Sequence, residues 1–210
     1  MINLSVAQFA AGPAFDAMYL QALTDAVNAD VVVVNAVGNQ TQHFAAREVD
    51  GLSFTSLPAI YGESLAGMIT VGSIDSANNA RSSFSHFSTR YVELAAPGAE
   101  SPGRGIYSTT EKLPMYNGQP YGRMSGTSMS APMVSGAAGL LIGYLYQISG
   151  EKPRAAEVER LLIEGAVKDP ALTHYYKSGS RLDLNKLFQQ VHKDYPQTVD
   201  HLTGNCPSQF

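Results

Sequence analysis

DVVVVNAV, residues 30–37, is the stretch that decides the fold class. Its four consecutive valines show no polar alternation, which predicts a strand covered on both faces, as strands in parallel sheets are. The segment 17–29 before it carries apolar residues at helical spacing, and the segment 2–7 (INLSVA) reads as a short strand. A strand, a helix and a strand in this order predict a right-handed crossover unit of a parallel sheet.

The rest of the chain continues the alternation of strands and helices. Two more strands are predicted at 67–75 and 91–98, and the second ends at Pro97-Gly98. Later helices are predicted at 128–148, 153–167 and 181–191. This order predicts an α/β fold with three layers, in which helices flank a mainly parallel sheet.

Composition and charge exclude several classes of partner. The chain has 210 residues, 15% of them charged, a net charge of −4 and no cluster of Lys or Arg, which argues against nucleic acid and anionic membranes. Its longest apolar stretch, 131–145, is interrupted by Ser135 and glycines and is shorter than the ~20 residues of a membrane span. Residues 1–15 lack a basic start and a continuous apolar block, so no signal peptide is predicted. The single cysteine, Cys206, forms no intrachain disulfide.

Residues 126–132 (GTSMSAP) place hydroxyl groups where a loop becomes a helix. The first N–H groups of a helix lack partners within it, so Thr127, Ser128 or Ser130 could serve as a capping residue. Alternatively, Ser128 is a nucleophile whose own N–H holds the oxyanion that forms when a carbonyl is attacked. The Gly-x-Ser-x-Gly elbow of α/β-hydrolases fits only weakly, because Ser130 stands where its second glycine would be. Both interpretations stay open on these residues alone.

GTSMSAP strongly resembles the Gly-Thr-Ser-Met-Ala-x-Pro signature that carries the nucleophile of the subtilisin-like serine peptidases, the subtilases. Further blocks resemble the family in the same order along the chain: MINLSVAQ (1–8), VVVVNAVGNQ (31–40), VGSIDSANNARSSFSHFS (71–88), LAAPG (94–98), AEVERLLIEGA (156–166) and RLDLNKL (181–187). The resemblance implies a subtilisin-like fold that is truncated at its N-terminal side. Residues 1–193 are then the C-terminal part of the peptidase domain, and residues 194–210 are a polar tail.

The resemblance also implies roles for individual residues. Ser128 would be the nucleophile, and Asn39 would form the oxyanion hole together with the N–H of Ser128, although a Gly38-Asn39 pair is also common in turns. Two short segments would form the edge that pairs with a peptide and the facing wall of the first specificity pocket: Ser5, Val6 and Ala7, and Ala36, Val37 and Gly38. Their small size favours an apolar or aromatic side chain before the cleaved bond. Ala7, where the family usually has glycine, would narrow the entrance.

The family's acid and base are not found in this sequence. The resemblance places an Asp-(Ser/Thr)-Gly motif and a His-Gly-Thr-His motif upstream of the strand that segment 2–7 resembles. No aspartate here precedes Ser/Thr-Gly, and none of the five histidines lies in such a motif: His43, His86, His174, His192 and His201. We therefore expect a serine endopeptidase by family whose isolated chain is catalytically incomplete. The alternative is a non-catalytic pseudopeptidase that binds peptides or another protein.

The resemblance has consequences for partners and metals. Without its family neighbour, the strand at 2–7 is expected to be an exposed edge that pairs with a second copy or with the polypeptide that supplies the missing half. Peptides or proteins are the expected substrates. Many subtilases bind calcium, but loop carboxylates such as Asp75 are too sparse to assign a metal site. No Gly-x-Gly-x-x-Gly or phosphate-loop motif indicates a nucleotide. Subtilases are usually secreted, but this sequence indicates no compartment.

Overall fold

The computed structural model describes residues 1–9, 13–42, 45–99, 105–111 and 117–196. Within these residues the strands are Ile2–Leu4 (β1), Val33–Ala36 (β2), Met68–Ile74 (β3), Leu94–Pro97 (β4), Ile106–Thr109 (β5), Tyr121–Met124 (β6), Val167–Lys168 (β7) and Ser180–Arg181 (β8). The α-helices are Pro13–Asn28 (α1), Thr127–Ser149 (α2), Ala155–Glu164 (α3) and Leu184–Asp194 (α4). His43, His201 and Cys206 lie outside the described residues.

Six of the strands form one sheet, in the order β1-β2-β3-β4-β8-β7. The strands from β1 to β8 in this order pair in parallel, and β7 runs antiparallel to β8. The strands β5 and β6 form a separate antiparallel hairpin. The mainly parallel sheet predicted from the valine run is therefore confirmed, and the flanking helices complete an α/β fold.

The valine run explains why helices cover both faces of the sheet. Successive side chains of a strand point to opposite faces. Val33 is buried with Leu23 and Val27 of α1 on one face. Val34 is buried with Leu141 of α2 on the other face. Since both faces of β2 are apolar, each needs its own helical layer, and the three predicted layers are observed.

The long helix α2 lies at the centre of the domain. It spans Thr127–Ser149 without any Asp, Glu, Lys or Arg, and by length and composition it would also pass as a membrane-spanning helix. One side of it packs on the parallel strands, and 44% of its most apolar 18-residue stretch is buried inside the fold. It ends at Gly150, whose φ of 74° lets its N–H bond to the carbonyl of Tyr146. In this fold α2 is a core helix that has a second, outward face.

The first strand is shorter than predicted. β1 covers residues 2–4 rather than 2–7 and lies at the edge of the sheet. One side of it pairs with β2, and among the described residues no strand pairs with the other side. Beyond Leu4 the chain leaves the sheet, and Ser5 bonds to the start of α2 instead.

Four short strands are not predicted by the sequence patterns. β5 (IYST) and β6 (YGRM) are largely exposed and carry no run of buried apolar residues, and β7 and β8 have two residues each. Tertiary contacts rather than local propensity decide such strands. Near the C-terminus α4 extends to Asp194, which accepts a hydrogen bond from Arg160 of α3 (2.9 Å). The division of the chain at 193/194 stays a prediction.

Candidate active site

Three segments that are far apart in sequence meet at one edge of the sheet. They are Ser5 after β1, Gly38 and Asn39 after β2, and Thr127 and Ser128 at the start of α2. Parallel strands end at the same edge, which places the loops after β1 and β2 side by side. Gly126 is held there because its N–H donates to the carbonyl of Gly98, directly after β4 (3.1 Å). The fold therefore brings Ser128 and Asn39 together.

The Ser128 hydroxyl does not cap the helix. The residue before the helix is Gly126, which has no side chain, and the N–H of Thr127 bonds to Asn39. The Ser128 hydroxyl donates to the carbonyl of Ser5, 3.0 Å away. In return the Ser5 hydroxyl donates to the carbonyl of Ser128 (2.9 Å). The capping interpretation of Ser128 is therefore wrong, because its side chain is directed at another segment.

The proline of the motif explains why the Ser128 carbonyl can accept this bond. In an α-helix the N–H of residue 132 would bond to the carbonyl of residue 128, and Pro132 has no N–H. The Ser5 hydroxyl takes the acceptor that Pro132 leaves without an intrahelical donor. As a result, the end of β1 is tied to the first turn of α2 by two hydrogen bonds.

Thr127 sets the orientation of the Asn39 amide. The Oδ1 atom of Asn39 accepts from the N–H of Thr127 (2.9 Å) and from its hydroxyl (3.0 Å). The same hydroxyl accepts from the N–H of Gly38 (3.2 Å). With Oδ1 used twice on one side, the Nδ2 donor of Asn39 is directed away from Thr127. The motif threonine is thus a positioning residue, which sequence reasoning considered only as a possible helix cap.

Two nitrogen atoms that can donate hydrogen bonds border the space in front of Gly126. A Cβ on Gly126 would lie 3.3 Å from Nδ2 of Asn39 and 3.8 Å from the N of Ser128. Gly126 also has a φ of 154°, which side chains rarely adopt. Glycine therefore keeps open a small space that has two donors at its border and the Ser128 hydroxyl on the same helical turn. Such a pair of fixed donors suits the negative oxygen of a tetrahedral intermediate.

A cavity of about 220 Å³ opens beside Ser128 and is bordered by much of the predicted pocket. Four of the predicted wall residues line it: Val6, Ala7, Ala36 and Gly38. The Val37 side chain does not line it, since it is fully buried in the core below the wall. Ser5 contributes through its bonds to Ser128 rather than as a lining side chain. Sequence reasoning missed four lining residues: Phe9, Gln40, Thr41 and Thr127.

The two walls of this cavity touch at Gly38. A Cβ on Gly38 would lie 2.9 Å from the Cβ of Ala7 and 3.1 Å from two ring atoms of Phe9, and the φ of Gly38 is 102°. Both contacts are shorter than ordinary van der Waals distances, so only glycine fits at this position. The Ala7 methyl thus lies close to Gly38, and the narrowing of the pocket entrance by Ala7 stays a prediction.

His86 is buried directly behind the Gly38-Asn39 turn. The backbone N–H of His86 donates to the carbonyl of Gly38 (3.0 Å). The ring Nδ1 of His86 accepts from the backbone N–H of Arg47 (3.1 Å). Its ring packs edge-on against Phe9 and Phe54. His86 is therefore part of the packing that supports the turn carrying Asn39.

Among the described residues, no hydrogen bond joins the Ser128 hydroxyl to a histidine. Burial lowers the pKa of His86 to about 4, and the charges of Arg47 and Arg81 act in the same direction. His192 bonds through Nε2 to the hydroxyl of Tyr144 (2.9 Å). Within the described ranges the Ser128 hydroxyl bonds to the carbonyl of Ser5 and to no histidine. A carbonyl oxygen cannot serve as a general base at neutral pH.

A buried carboxylate lies at the opposite end of β4 from Gly98. Glu93 is fully buried, and its Oε2 accepts from the N–H of Thr70 (2.7 Å). Burial raises the pKa of Glu93 to about 8, and this outweighs the Lys177 ammonium 3.7 Å from Oε1. Among the residues that the structure describes, no group of three or more His, Cys, Asp or Glu is placed to hold a metal ion. The perturbed carboxyl is therefore separate from the candidate active site.

Comparison with known proteins identifies the family. The chain matches the model of the Subtilase family over residues 1–197. The major intracellular serine protease of Bacillus subtilis (strain 168) is 36% identical over 143 residues, which are 68% of this chain and 38% of that protein. Thermitase of Thermoactinomyces vulgaris is 33% identical over 169 residues, which are 80% of this chain and 48% of that protein. The chain thus spans less than half the length of these relatives.

Solved structures share the fold. A lanthipeptide protease superposes with a TM-score of 0.73 at 24% identity, covering 90% of this chain and 61% of the other. A structure of the subtilase cytotoxin SubAB superposes with a TM-score of 0.70 at 22% identity, covering 94% of this chain and 61% of the other. Sequence identities of this size support only a shared fold. The family assignment rests on the match to the family model. This chain belongs to the subtilase family of subtilisin-like serine proteases.

Proposed function

We propose that Ser128 is the nucleophile and Asn39 an oxyanion-hole donor of a subtilisin-like endopeptidase site that acts on peptide bonds. The observation that carries the proposal is that Nδ2 of Asn39 and the backbone nitrogen of Ser128 both border the open space in front of Gly126. The Ser128 hydroxyl lies on the same helical turn. Membership of the subtilase family supports the choice of a peptide as substrate.

The proposed reaction uses these groups in a fixed order. The Ser128 oxygen forms a bond to the carbonyl carbon of the peptide, and the hydroxyl proton passes to a base. The carbonyl oxygen becomes negative and accepts hydrogen bonds from Asn39 and from the N–H of Ser128. The C–N bond then breaks as the departing amine takes up the proton, and water hydrolyses the acyl group from Ser128.

We further propose that the isolated chain hydrolyses peptides only slowly. The described residues offer the Ser128 hydroxyl a backbone carbonyl, which cannot take its proton. Losing the base of a serine peptidase costs roughly 10⁶-fold in turnover. An acid and a base supplied by further polypeptide would complete the site. The unpaired edge of β1 is one place where such a polypeptide, or a second copy, could pair.

A peptidyl boronic acid tests the site without requiring turnover. Its boron bonds to a serine oxygen and becomes tetrahedral and negative, which imitates the intermediate. We expect the purified chain to give a tetrahedral boron signal by NMR, and Ser128→Ala to abolish it. Asn39→Asp keeps the acceptor that Thr127 needs but replaces the donor by a negative charge. We expect it to weaken the adduct by roughly 10²–10³-fold, the loss in turnover when a subtilisin loses such a donor.

A matched control accompanies the boronic acid experiment. Asn78 lies in an exposed turn and accepts a bond from the N–H of Ala80 through Oδ1, as Asn39 does from Thr127. We expect Asn78→Asp to leave the adduct unchanged. The proposal fails if no tetrahedral signal forms, or if Asn39→Asp binds as tightly as the unaltered chain.

A non-catalytic peptide-binding module is the second candidate. The mutual hydrogen bonds of Ser5 and Ser128 favour it, because they occupy the hydroxyl in the described structure. In that case an unmodified peptide binds, Ser128→Ala binds it equally well, and the boronic acid gives no tetrahedral signal. The two candidates therefore separate in one series of titrations.

We propose a small side chain before the cleaved bond, rather than the apolar or aromatic one that the small wall residues favour. The contact of Ala7 and Phe9 with Gly38 supports this preference, because it closes part of the gap between the walls. We expect Ala7→Gly to improve binding of a phenylalanine boronic acid more than that of an alanine boronic acid. Equal changes for both ligands would contradict the preference.

A further inference from the structure

The turn that carries Asn39 begins where β2 leaves the sheet. The N–H of Val37 donates to the carbonyl of Val71 and so continues the parallel ladder between β2 and β3 (3.1 Å). In such a ladder the next bond would run from the N–H of Ser73 to the carbonyl of Val37. The chain instead turns at Gly38, where φ is 102°, and these two backbone groups bond elsewhere.

Two serine hydroxyls replace this ladder bond. The N–H of Ser73 donates to Oγ of Ser85 (3.0 Å). The carbonyl of Val37 accepts from the hydroxyl of Ser56 (2.6 Å). All three serines are fully buried, so the loss of either bond would remove the partner of a backbone group inside the core. The exit of β2 from the sheet is therefore fixed by side chains rather than by backbone pairing.

Ser85 lies directly opposite Asn39 in the fold. The two residues form an antiparallel bridge. Two backbone bonds flank this bridge, one from the N–H of Gln40 (2.7 Å) and one to the carbonyl of Gly38 (3.0 Å). Both of these bonds are made with the chain neighbours of Ser85. The position of Ser85 therefore sets the position of the Asn39 backbone.

The segment 84–86 is fastened to β3 through the Ser85 side chain. The same hydroxyl that accepts from the N–H of Ser73 donates to the carbonyl of His86 (2.8 Å). The Arg81 guanidinium donates to the carbonyl of Ser85 (2.6 Å) and holds the segment from its other side. A change at the Ser85 hydroxyl is therefore transmitted to the turn that pairs with this segment.

We infer that Ser85 is a positioning residue for the oxyanion hole and acts through Asn39. Its hydroxyl takes the place of β2 beside the end of β3, so the chain can turn at Gly38 and direct the Asn39 amide to the space in front of Gly126. Thr127 fixes this amide from the side of α2, and Ser85 fixes its backbone from the side of β3. The role in the reaction rests on the proposed function, whereas the effect on the Asn39 amide does not.

Amide hydrogen exchange followed by NMR tests the geometry without a ligand. The N–H of Thr127 donates to Oδ1 of Asn39, so its exchange reports the position of that side chain. We expect Ser85→Ala to speed this exchange roughly 10-fold, because the acceptor is no longer held in place. Ser82→Ala is the matched control, since its hydroxyl is also fully buried but bonds to Oγ of Ser73 (2.8 Å). It should leave the exchange of Thr127 unchanged.

The peptidyl boronic acid tests the role in the reaction. Its adduct carries a negative oxygen, which an unmodified peptide of the same sequence lacks. We expect Ser85→Ala to weaken the adduct roughly 10-fold and peptide binding less than about 2-fold. A residue that only stabilises the fold would change both affinities alike, and Ser82→Ala should change neither. Combined with Asn39→Asp, Ser85→Ala should cause no further loss of adduct, because it acts through that amide.

Different outcomes contradict this inference and the proposed function. Unchanged exchange of Thr127 in Ser85→Ala, equal acceleration in Ser82→Ala, or full additivity with Asn39→Asp would overturn the inference. A missing boron signal in the unaltered chain would contradict the proposed function, and the exchange rates would still decide whether Ser85 positions Asn39. If Ser85→Ala does not fold, Ser85→Cys fills a similar space with a weaker acceptor and should show the same effects at a smaller size.

Discussion

The two faces of α2 are made of similar residues but have different surroundings. On the sheet side, four small or branched apolar residues are fully buried: Ala131, Val134, Ala138 and Leu141. On the outward side Leu140 is 55% exposed, and Gly136 and Gly143 face open space. An apolar helix pattern therefore predicts that both faces are to be covered, but it does not tell which polypeptide covers each. Four predictions test this difference between packed and open regions of the fold.

Leu141 and Leu140 are adjacent leucines on the two faces. Leu141→Ala removes a fully buried side chain and leaves a cavity, so we expect it to lower the free energy of unfolding by about 3 kcal/mol. Leu140→Ala should change it by less than about 0.5 kcal/mol in the chain alone. Urea unfolding of both variants measures the difference. Equal losses would show that the outward face is packed in solution.

The packing behind the site makes stability depend on pH through His86. Burial holds the folded-state pKa of His86 at about 4, whereas an unperturbed imidazole titrates near 6.5. As the pH falls below 6.5, the unfolded state binds a proton first. The contribution of neutral His86 is therefore complete above pH 6.5 and is lost as the pH falls towards 4, by roughly 3 kcal/mol.

Urea unfolding at a series of pH values measures this contribution. His86→Gln should flatten the change in the free energy of unfolding between pH 6.5 and 4. His192→Gln, at an exposed position on α4, serves as the control and should follow the unaltered chain. If the free energy of unfolding changes with pH in the same way for the unaltered chain and His86→Gln, the imidazole is exposed to water in the folded state.

Gly126 directly precedes α2, at the end of the helix that lies against the Asn39 turn. Gly126→Ala places a Cβ 3.3 Å from Nδ2 of Asn39 and puts a side chain on a backbone with φ of 154°. We expect a loss of roughly 1–2 kcal/mol in the free energy of unfolding, together with a weaker boronic acid adduct. Calorimetry and boron NMR measure the two effects. An unchanged adduct would exclude this space as the place of the oxyanion.

Gly143 is the matched glycine on the open face. Gly143→Ala meets no atom of the described structure outside the helix's own backbone and improves helix propensity. We expect the free energy of unfolding of the chain alone to rise by up to about 1 kcal/mol. Thermal unfolding should give changes of opposite sign in the free energy of unfolding for Gly126→Ala and Gly143→Ala. This pair of results would distinguish the packed site from the open face of the helix. A loss at Gly143 would show that this face is already in close contact.

Much of the fold could be predicted because it depends on local patterns. The strand β2 was predicted from its run of valines and the helix α2 from the spacing of its apolar residues. Both elements are observed at nearly the predicted positions. The strands β5 to β8 could not be predicted, because segments of two to four mostly exposed residues are too short to show an alternating pattern of apolar residues. The catalytic roles of Ser128 and Asn39 stay predictions until the adduct is measured.

The candidate site was less predictable than the elements that carry it. Val37 was predicted to be part of the pocket wall, but its side chain points into the core because neighbouring residues of a strand alternate between faces. Phe9 was missed because its contact with Gly38 crosses from the β1 loop to the β2 loop. Thr127 was considered as a cap, yet it orients an amide that lies 88 residues away in sequence. The Phe9 and Thr127 cases both concern contacts between segments that are distant in the sequence.

The main helices, the buried strands and the layer order follow from the sequence alone, because they depend on the pattern of neighbouring residues. A recognisable motif also makes the Ser128 hydroxyl and the Asn39 amide the candidates for the site. The tertiary structure alone decided that Asn39 and the N–H of Ser128 share one space, since that requires β1 and β2 to end beside the start of α2. It also decided that one apolar face of α2 is packed and the other open. Burial depends on which surfaces meet, and no local pattern contains that information.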